Sequence, residues 1–519
     1  MTAKSTATGL IPEQASRVAL AWGEREPDRT AIRSEVGAIS YGRLALAIRS
    51  TVAMLSAHGF EPGDRLLIVS ENSIATVVLF FASLELGVIA SIVNARLTAA
   101  ELAKIQSSAR AKRTIYLSAA SADAAHHATK VAALTISDPL WGEALIGTVS
   151  QNCAGDATDH AMDRSIACIA YTTGTTGTPK GVALSHSALA HMGRLSVPAV
   201  SSSQQAHYYL VSPLAHIIGF GSNLMAAMWS GASVELVARF DVNHMIEALT
   251  SGRITHLMCV PTVYAAILSL AKERRIERLP NGLLSTRAGG APLSVALKEE
   301  IDVLLGLPLE NGYGMTECCA IARTHSGESP VGSVGRPNDG VHVRILHSPE
   351  TVDQGEPVGK LLVKSPCAAT GLWQDGRVLE LPEMRDGWLD TGDLGRLDST
   401  GNLFLVGRSK EIIIRSGFNV APAEIEQVIC RHDGVSGCAV VGHPKRYEDI
   451  EIVAFVTPTS KVPRVSASEL AQHCKTQLAG YKCPSRFLFI DTIPLLPNGK
   501  IDRQSLLIAA GRQTGRHDG

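Results

Sequence analysis

From residue 66 onward, short apolar runs alternate with longer segments of helical periodicity. The runs cover 66–70, 88–93, 114–117, 166–171, 208–211, 234–237 and 256–260. They are near-continuously apolar, the pattern of strands covered by helices on both faces. The chain is therefore expected to form α/β layers around largely parallel sheets. Its character shifts after Pro337: from 341 to 404 the segments are short, alternating and punctuated by glycine, as in a small β-rich subdomain. Beyond Gly407-Arg408-Ser409-Lys410 lies a compact α+β tail, with helices expected over 423–430 and 467–478 and strands over 437–441 and 452–457. This predicts an N-terminal body over 1–409, made of two mixed α/β subdomains plus the β-rich piece. A C-terminal lid of roughly 110 residues follows over 410–519, hinged near Lys410.

Composition narrows what such a chain does. At 519 residues, 45% hydrophobic and 19% charged, it has material for a large core. A net charge of -1 gives no field to attract nucleic acid or anionic lipid, so anions must be bound by local sites. The apolar stretch over 74–93 is interrupted by Glu85 and Gly87, and it reads as a buried helix capped at Gly87 followed by a strand, not as a membrane span. Ten cysteines are scattered without a CxxC pair or zinc-ligand spacing, and the opening MTAKSTATGLIPEQ has no apolar signal core. A cytoplasmic protein with free thiols, monomeric or homodimeric, is expected.

The strongest chemical signal is Tyr171-Thr172-Thr173-Gly174-Thr175-Thr176-Gly177-Thr178-Pro179-Lys180-Gly181. An apolar strand enters a loop dense in hydroxyls and glycines, closed by one lysine. Glycines let backbone N–H groups turn toward an anion, hydroxyls donate further bonds, and the ammonium adds a point charge, so the loop suits a polyphosphate. Pro179 before Lys180 departs from a Walker A loop. Further along, Gly312-Tyr313-Gly314 sets an aromatic ring between residues that permit close approach, as stacking on a planar base requires. Glu317 offers a hard carboxylate oxygen suited to Mg²⁺ beside phosphate oxygens.

The loop resembles the signature of the adenylate-forming superfamily, which includes acyl-CoA synthetases and aryl-CoA ligases. The resemblance recurs in order in Pro213-Leu214-Ala215-His216, Gly289-Gly290-Ala291-Pro292-Leu293, Asn311-Gly312-Tyr313-Gly314-Met315-Thr316-Glu317 and Gly387-Trp388-Leu389-Asp390-Thr391-Gly392-Asp393. It continues in Gly407-Arg408-Ser409-Lys410-Glu411, Gly417-Phe418-Asn419 and Pro497-Asn498-Gly499-Lys500-Ile501, and so spans nearly the whole chain. It implies activation of a carboxylic acid with ATP and Mg²⁺ to acyl-AMP and pyrophosphate, then transfer to coenzyme A. It implies phosphate contacts at Thr172, Thr173, Gly174, Thr175, Thr176 and Lys180, with Thr173 and Glu317 as metal ligands. Adenine would lie between Tyr313 and the Gly289-Gly290-Ala291-Pro292 loop, beside Asn311 and Gly312, with Asp393 and Arg408 on the ribose. Lys500, with Thr316, Glu317 and His216 nearby, would serve the adenylation step, and His216 would move aside for the thiol.

The two half-reactions need different groups at one carbonyl, so the resemblance implies a lid rotation about Lys410 that withdraws Lys500 and brings Gly417 to the pantetheine channel. Departures fall in the lid: Asp449 and Ile450 replace a usual Gly-Glu pair, and Arg415 and Ser416 stand where small residues are common. The acid would lie among His216, Ile217, Gly219, Ala288, Gly312, Met315 and Cys318, a lining whose apolar members favour an aliphatic or aryl acid. Arg287 is expected to pack outward, because alternation points it away from Ala288. No aspartate near Phe220 is placed to hold an α-ammonium group. Two rival readings remain: transfer of the acyl group to a carrier-protein thiol, and a non-catalytic nucleotide-binding regulator, against which the joint presence of Lys180, Glu317 and Lys500 counts.

Overall fold

The computed structural model describes residues 14–150, 165–173, 179–198, 206–353, 356–374, 376–408, 411, 413–415, 418–444, 450–459, 465–478, 480–496 and 500–512. Two large mixed sheets form the body. In the first, Thr30–Ser34, Ser233–Leu236, His207–Leu210, His256–Cys259, Ser285–Gly289 and Leu309–Tyr313 run parallel, flanked by antiparallel edges Gly37–Ser40, Ala322–Arg323 and Arg336–Pro337. In the second, Ile166–Thr173, Ile89–Asn94, Arg65–Ser70 and Arg113–Tyr116 are parallel, with antiparallel strands on both sides. The expectation of parallel sheets thus holds for the centres, where helical crossovers cover both faces, and not for the edges.

The apolar stretch that resembled a membrane span is the helix Ile74–Leu86, buried at every residue from Ile74 to Leu84. Ser73 caps its start by accepting from the Thr76 N–H, and Gly87 ends it at φ +77°. Its residues join those of both sheets and of His186–Ser196 and Met225–Ser230 in one apolar cluster, so it is apolar all round because protein covers it all round. Among the described residues, no helix is long and apolar enough to cross a membrane.

The β-rich piece is an antiparallel sheet of His342–Asp353, Glu356–Lys364, Trp388–Leu397, Met384–Arg385 and Leu403–Arg408. Two strands expected within it lie elsewhere: Gly371–Gln374 extends the second large sheet by pairing with Pro179–Ser185, and Arg377–Leu379 pairs with Gly371–Gln374 as its edge. Trp373 fixes that excursion, fully buried with its Nε1–H on the Ser108 carbonyl at 3.0 Å. Beyond residue 412, the sheet of Val435–Pro444, Ile450–Pro458 and Arg486–Phe489 packs with helices Pro422–Cys430, Ala467–Gln477 and Arg503–Arg512. Two apolar clusters there draw only on residues from Ile413 to Ala510. Asp449 lies outside the described residues, as does Ser416.

Candidate active site

The motif residues gather at the carboxyl ends of the first sheet's parallel strands, the edge where open α/β sheets bind ligands. Gly289 pairs in register with Gly312, which sets the Gly289–Gly290 turn beside Tyr313. Gly290 stands at φ +80°, which favours glycine, and a Cβ there would lie 2.3 Å from Ile218 Cδ1, so a larger residue would also have to displace that side-chain end. After Tyr313 the chain reverses: the Met315 N–H donates to the Cys318 carbonyl at 3.0 Å and the Ile321 N–H to the Tyr313 carbonyl at 2.9 Å. Thr316 and Glu317 occupy the tip, half-buried, and the Glu317 carbonyl accepts the Ala369 N–H at 2.7 Å. Asn311 is held from its backbone, its N–H donating to Thr324 Oγ1 at 2.7 Å.

Asp393 faces this tip from the β-rich sheet, paired in register with Arg408. Its carboxylate accepts the Tyr313 hydroxyl at 2.5 Å on Oδ2 and Arg408 Nε at 3.0 Å on Oδ1. Thr391 Oγ1 fixes the turn by accepting the Asp393 N–H at 3.1 Å. Burial, and then the Asp393 charge, push the Tyr313 phenol well above the usual tyrosine value, so it remains a donor.

The third wall is the segment Pro213-Leu214-Ala215-His216, which runs into a π-helical turn, Ile218–Leu224. Gly219 is forced there, because a Cβ would sit 2.1 Å from the Pro213 carbonyl oxygen. Asn72, which sequence reasoning missed, holds this wall. Its Nδ2 donates to the Ser212 and Val237 carbonyls at 3.1 and 3.0 Å, and its Oδ1 accepts the Leu214 N–H at 2.8 Å. The signal was an asparagine between a strand end and the capping Ser73. Ile217 and Met315 are half-buried against the main cluster, whereas Cys318 is fully buried and its thiol pushed up to about 12 by burial.

Ala288 packs into the separate cluster under helices Pro261–Glu273 and Val295–Leu305. Arg287 does face away from it, but not outward: it is 6% exposed, with Nη1 donating to the Ser196 carbonyl at 3.2 Å. Both faces of the strand are covered, so alternation chose the side without choosing solvent.

Thr172 and Lys180 are cross-strand neighbours at the end of the pair Ile166–Thr173 and Pro179–Ser185 where the chain passes from one strand to the other, and Lys180 is exposed. Gly174, Thr175, Thr176, Lys410 and Gly417 lie outside the described residues, as does the side chain of Thr173. Ala291 and Pro292 follow the Gly290 turn and lead toward the helix Val295–Leu305.

Lys500 reaches this assembly from the C-terminal unit. Its backbone is held by the Leu496 N–H on its carbonyl at 2.7 Å. Loss of hydration, then the Arg408 charge, lower its ammonium pKa, against opposing pulls from Asp393, Glu317 and Glu411. His216 is likewise lowered, by burial first and by Lys500 second, which keeps its imidazole neutral at pH 7. The lysine as a whole is exposed at the cleft rim, and its charge is felt by residues of all three walls.

Comparison with known proteins shows the family of the chain. The family described as AMP-binding enzyme matches residues 20–373, and the AMP-binding enzyme C-terminal domain matches 424–500. A feruloyl-CoA synthase of Amycolatopsis sp is 31% identical over 92% of this chain and 94% of its own length. A 2-succinylbenzoate–CoA ligase of Bacillus subtilis is 29% identical over 92% and 95%. The ATP-bound crystal structure of MatB from Rhodopseudomonas palustris, 27% identical over 95% of this chain and 98% of its own, superposes with a TM-score of 0.81, against 0.73 for its apo form. The chain belongs to the AMP-binding enzyme family. Within it, the protein is an AMP-forming acid–thiol ligase, using ATP with Mg²⁺ and coenzyme A.

The residues present fit a Mg²⁺–nucleotide. Among the described residues no three His, Cys, Asp or Glu side chains form a cage. The half-buried Glu317 carboxylate is a hard oxygen donor of the kind that Mg²⁺ takes alongside phosphate oxygens and water.

Proposed function

We propose that the protein joins a carboxylic acid to the α-phosphate of ATP and then passes the acyl group to the thiol of coenzyme A, with the residues above in the following roles. The observation that carries the roles is the convergence of Lys500 with Asp393, Arg408, Glu317 and His216 around one cleft. Tyr313 and the Gly289–Gly290 turn bracket adenine, and Asp393 accepts from the ribose hydroxyls. Thr172 and Lys180, with the loop between them, hold the phosphates, and Glu317 with Thr173 holds Mg²⁺. The cation supplies charge neutralisation on the phosphate oxygens. Lys500 lies between the two anions that must meet. The acid's carboxylate oxygen attacks the α-phosphorus, the bond to pyrophosphate breaks, and the ammonium offsets charge gathering on the oxygens. Neutral His216 adds no competing charge beside the carboxylate.

In the second step the thiol sulfur attacks the acyl carbonyl, the bond to AMP breaks, and the thiol proton goes to solvent. Lys500 has no part in it and withdraws as residues 410–519 turn about Lys410, bringing Gly417 forward. The separate apolar clusters beyond Ile413 support such a rigid turn, and the closer match to the ATP-bound form of MatB supports an adenylation pose here. The acceptor is coenzyme A rather than a carrier-protein thiol, as the ligases that resemble this chain along its length support. The nine described cysteines are all free thiols, which supports a cytoplasmic setting, as a monomer or homodimer.

Pyrophosphate release across a panel of carboxylic acids, followed by AMP formation with coenzyme A or with a holo carrier protein, tests this reading. Acid-dependent pyrophosphate release with CoA-dependent AMP formation is expected. Nucleotide binding without release under any acid, or transfer to the carrier protein alone, overturns it.

A further inference from the structure

Beneath the Gly312 end of the cleft, the apolar lining gives way to buried positive charge. Arg287 passes under Gly312, where a Cβ would lie 3.1 Å from its Cδ. Its Nη2 reaches Glu310 Oε2 only at 3.4 Å, and its buried Nε has no partner among the described residues. Arg323, on the strand next to the edge of the same sheet, donates Nη1 to the Val197 carbonyl at 2.9 Å, and its Nε is buried and unpartnered among the described residues in the same way. Burial and then the Arg287 charge lower the Arg323 guanidinium, with Glu310 and the exposed Asp339 opposing. His256, stacked on Tyr208 with ring centroids 4.7 Å apart, is pushed down to about 4 by burial and Arg287, and so contributes no negative partner. A cavity of about 10 Å³ lies between Arg287, His256, Tyr208 and Ser222 of the π-helical turn, room for about one oxygen atom.

Arg287 therefore holds its one carboxylate partner at the long end of hydrogen-bond range, and Arg323 only feels that carboxylate's field. Burying charge without full pairing is costly, and a carboxylate entering with a ligand would repay it. Glu310 is partly exposed and loosely held, so a second carboxylate replaces it at Arg287 while Glu310 turns toward water or Arg323. We propose that Arg287 sets substrate specificity: the acid carries a second carboxylate at the end remote from the reacting one, received by Arg287 at the floor of the apolar acyl channel. This rests on the adenylation reading and names its substrate class. It revises the aliphatic or aryl expectation, since the walls stay apolar while the floor is cationic.

The test uses length-matched pairs of acids, one ending in methyl and one in carboxylate, with aliphatic and aryl spacers, scored by kcat/KM for pyrophosphate release. The wild-type protein is expected to favour the dicarboxylate of at least one pair by roughly 10- to 100-fold, the span of a charge-assisted hydrogen bond. Arg287→Met is expected to erase that ratio and Arg287→Lys to keep part of it. Preference for the methyl-ended member in every pair, read on the wild type alone and so independent of variant folding, overturns the inference. A ratio unchanged in Arg287→Met overturns it too. Release with no acid of either kind overturns instead the adenylation reading beneath it.

Discussion

An ionised carboxylate offers about four acceptor positions on its two oxygens. At Asp393, Tyr313 takes one and Arg408 another, which leaves two, the number a vicinal ribose diol needs. A hydrogen bond to a charged acceptor is worth about 1.5–3 kcal/mol, or roughly 10- to 100-fold in kcat/KM for each hydroxyl. Asp393→Asn keeps the shape, removes the charge, and turns half of the acceptor face into a donor. ATP, 2′-deoxy-ATP and 3′-deoxy-ATP compared in ATP–pyrophosphate exchange make a cycle between side chain and hydroxyl. In the wild type each deoxy analogue is expected to lose about 10- to 100-fold. In Asp393→Asn the loss for at least one analogue is expected to shrink to within about threefold, because independent perturbations add and coupled ones do not. Weakened packing of Tyr313 or Arg408 would lower all three nucleotides alike and cannot imitate that pattern. A deoxy penalty of full size in the variant, for both analogues, would refute the ribose role.

Lys500→Ala is expected to slow adenylation by about 10²- to 10³-fold while sparing thioester formation from supplied acyl-adenylate, and equal loss of both half-reactions would remove its assigned role. Its lowered ammonium pKa means that the charged form is lost sooner as pH rises, so kcat/KM for adenylation should fall at a pH below the usual lysine range. Lys500→Arg should abolish that alkaline limb, and a limb left in place would belong to another group. Gly219→Ala drives a Cβ to 2.1 Å from the Pro213 carbonyl oxygen and should cost about 1–3 kcal/mol or more in urea denaturation, together with a raised KM for the acid. His256, about 4 when folded against 6.5 when free, contributes stability that is complete above pH 6.5 and lost as pH falls toward 4, about 3 kcal/mol in all. His256→Phe, which keeps a ring against Tyr208, should therefore flatten the acid limb of a stability–pH curve.

What could be read in the chain follows from how local the cause is. The strands Arg65–Ser70, Ile89–Asn94 and His256–Cys259 fall within a residue or so of their apolar runs, because a strand covered on both faces must be apolar throughout. Gly87 was legible as a helix end because the left-handed conformation it adopts selects glycine on its own. The joining of Gly371–Gln374 to Pro179–Ser185 was not legible, since the partner strand lies far off in sequence and only Trp373, reaching Ser108, decides it. At the site, the family resemblance singled out Tyr313, Asp393 and Lys500 one by one. That Tyr313 and Asp393 share a 2.5 Å hydrogen bond across 80 residues, or that Asn72 holds the opposite wall, required the packing of separate sheets. Arg287 marks the boundary between the two kinds of knowledge: the side-chain period is a local property, whereas which face meets water is a property of the whole fold.

The division of the chain has a physical consequence for a two-step ligase. Apolar burial is worth about 25 cal/mol per Å², so a catalytic group anchored in the main core could leave its site only by exposing that core. Lys500 is anchored instead beside Ile501, in a cluster with Leu506 and Ala510 that shares no residue with the cluster of the body. In the proposed withdrawal it would leave the polar groups of the body, Arg408, Asp393 and Glu317, while Glu411 would move with it. Those groups exchange one set of charged partners for water at small net free energy, the condition for a hinge whose position is decided by which ligand is bound.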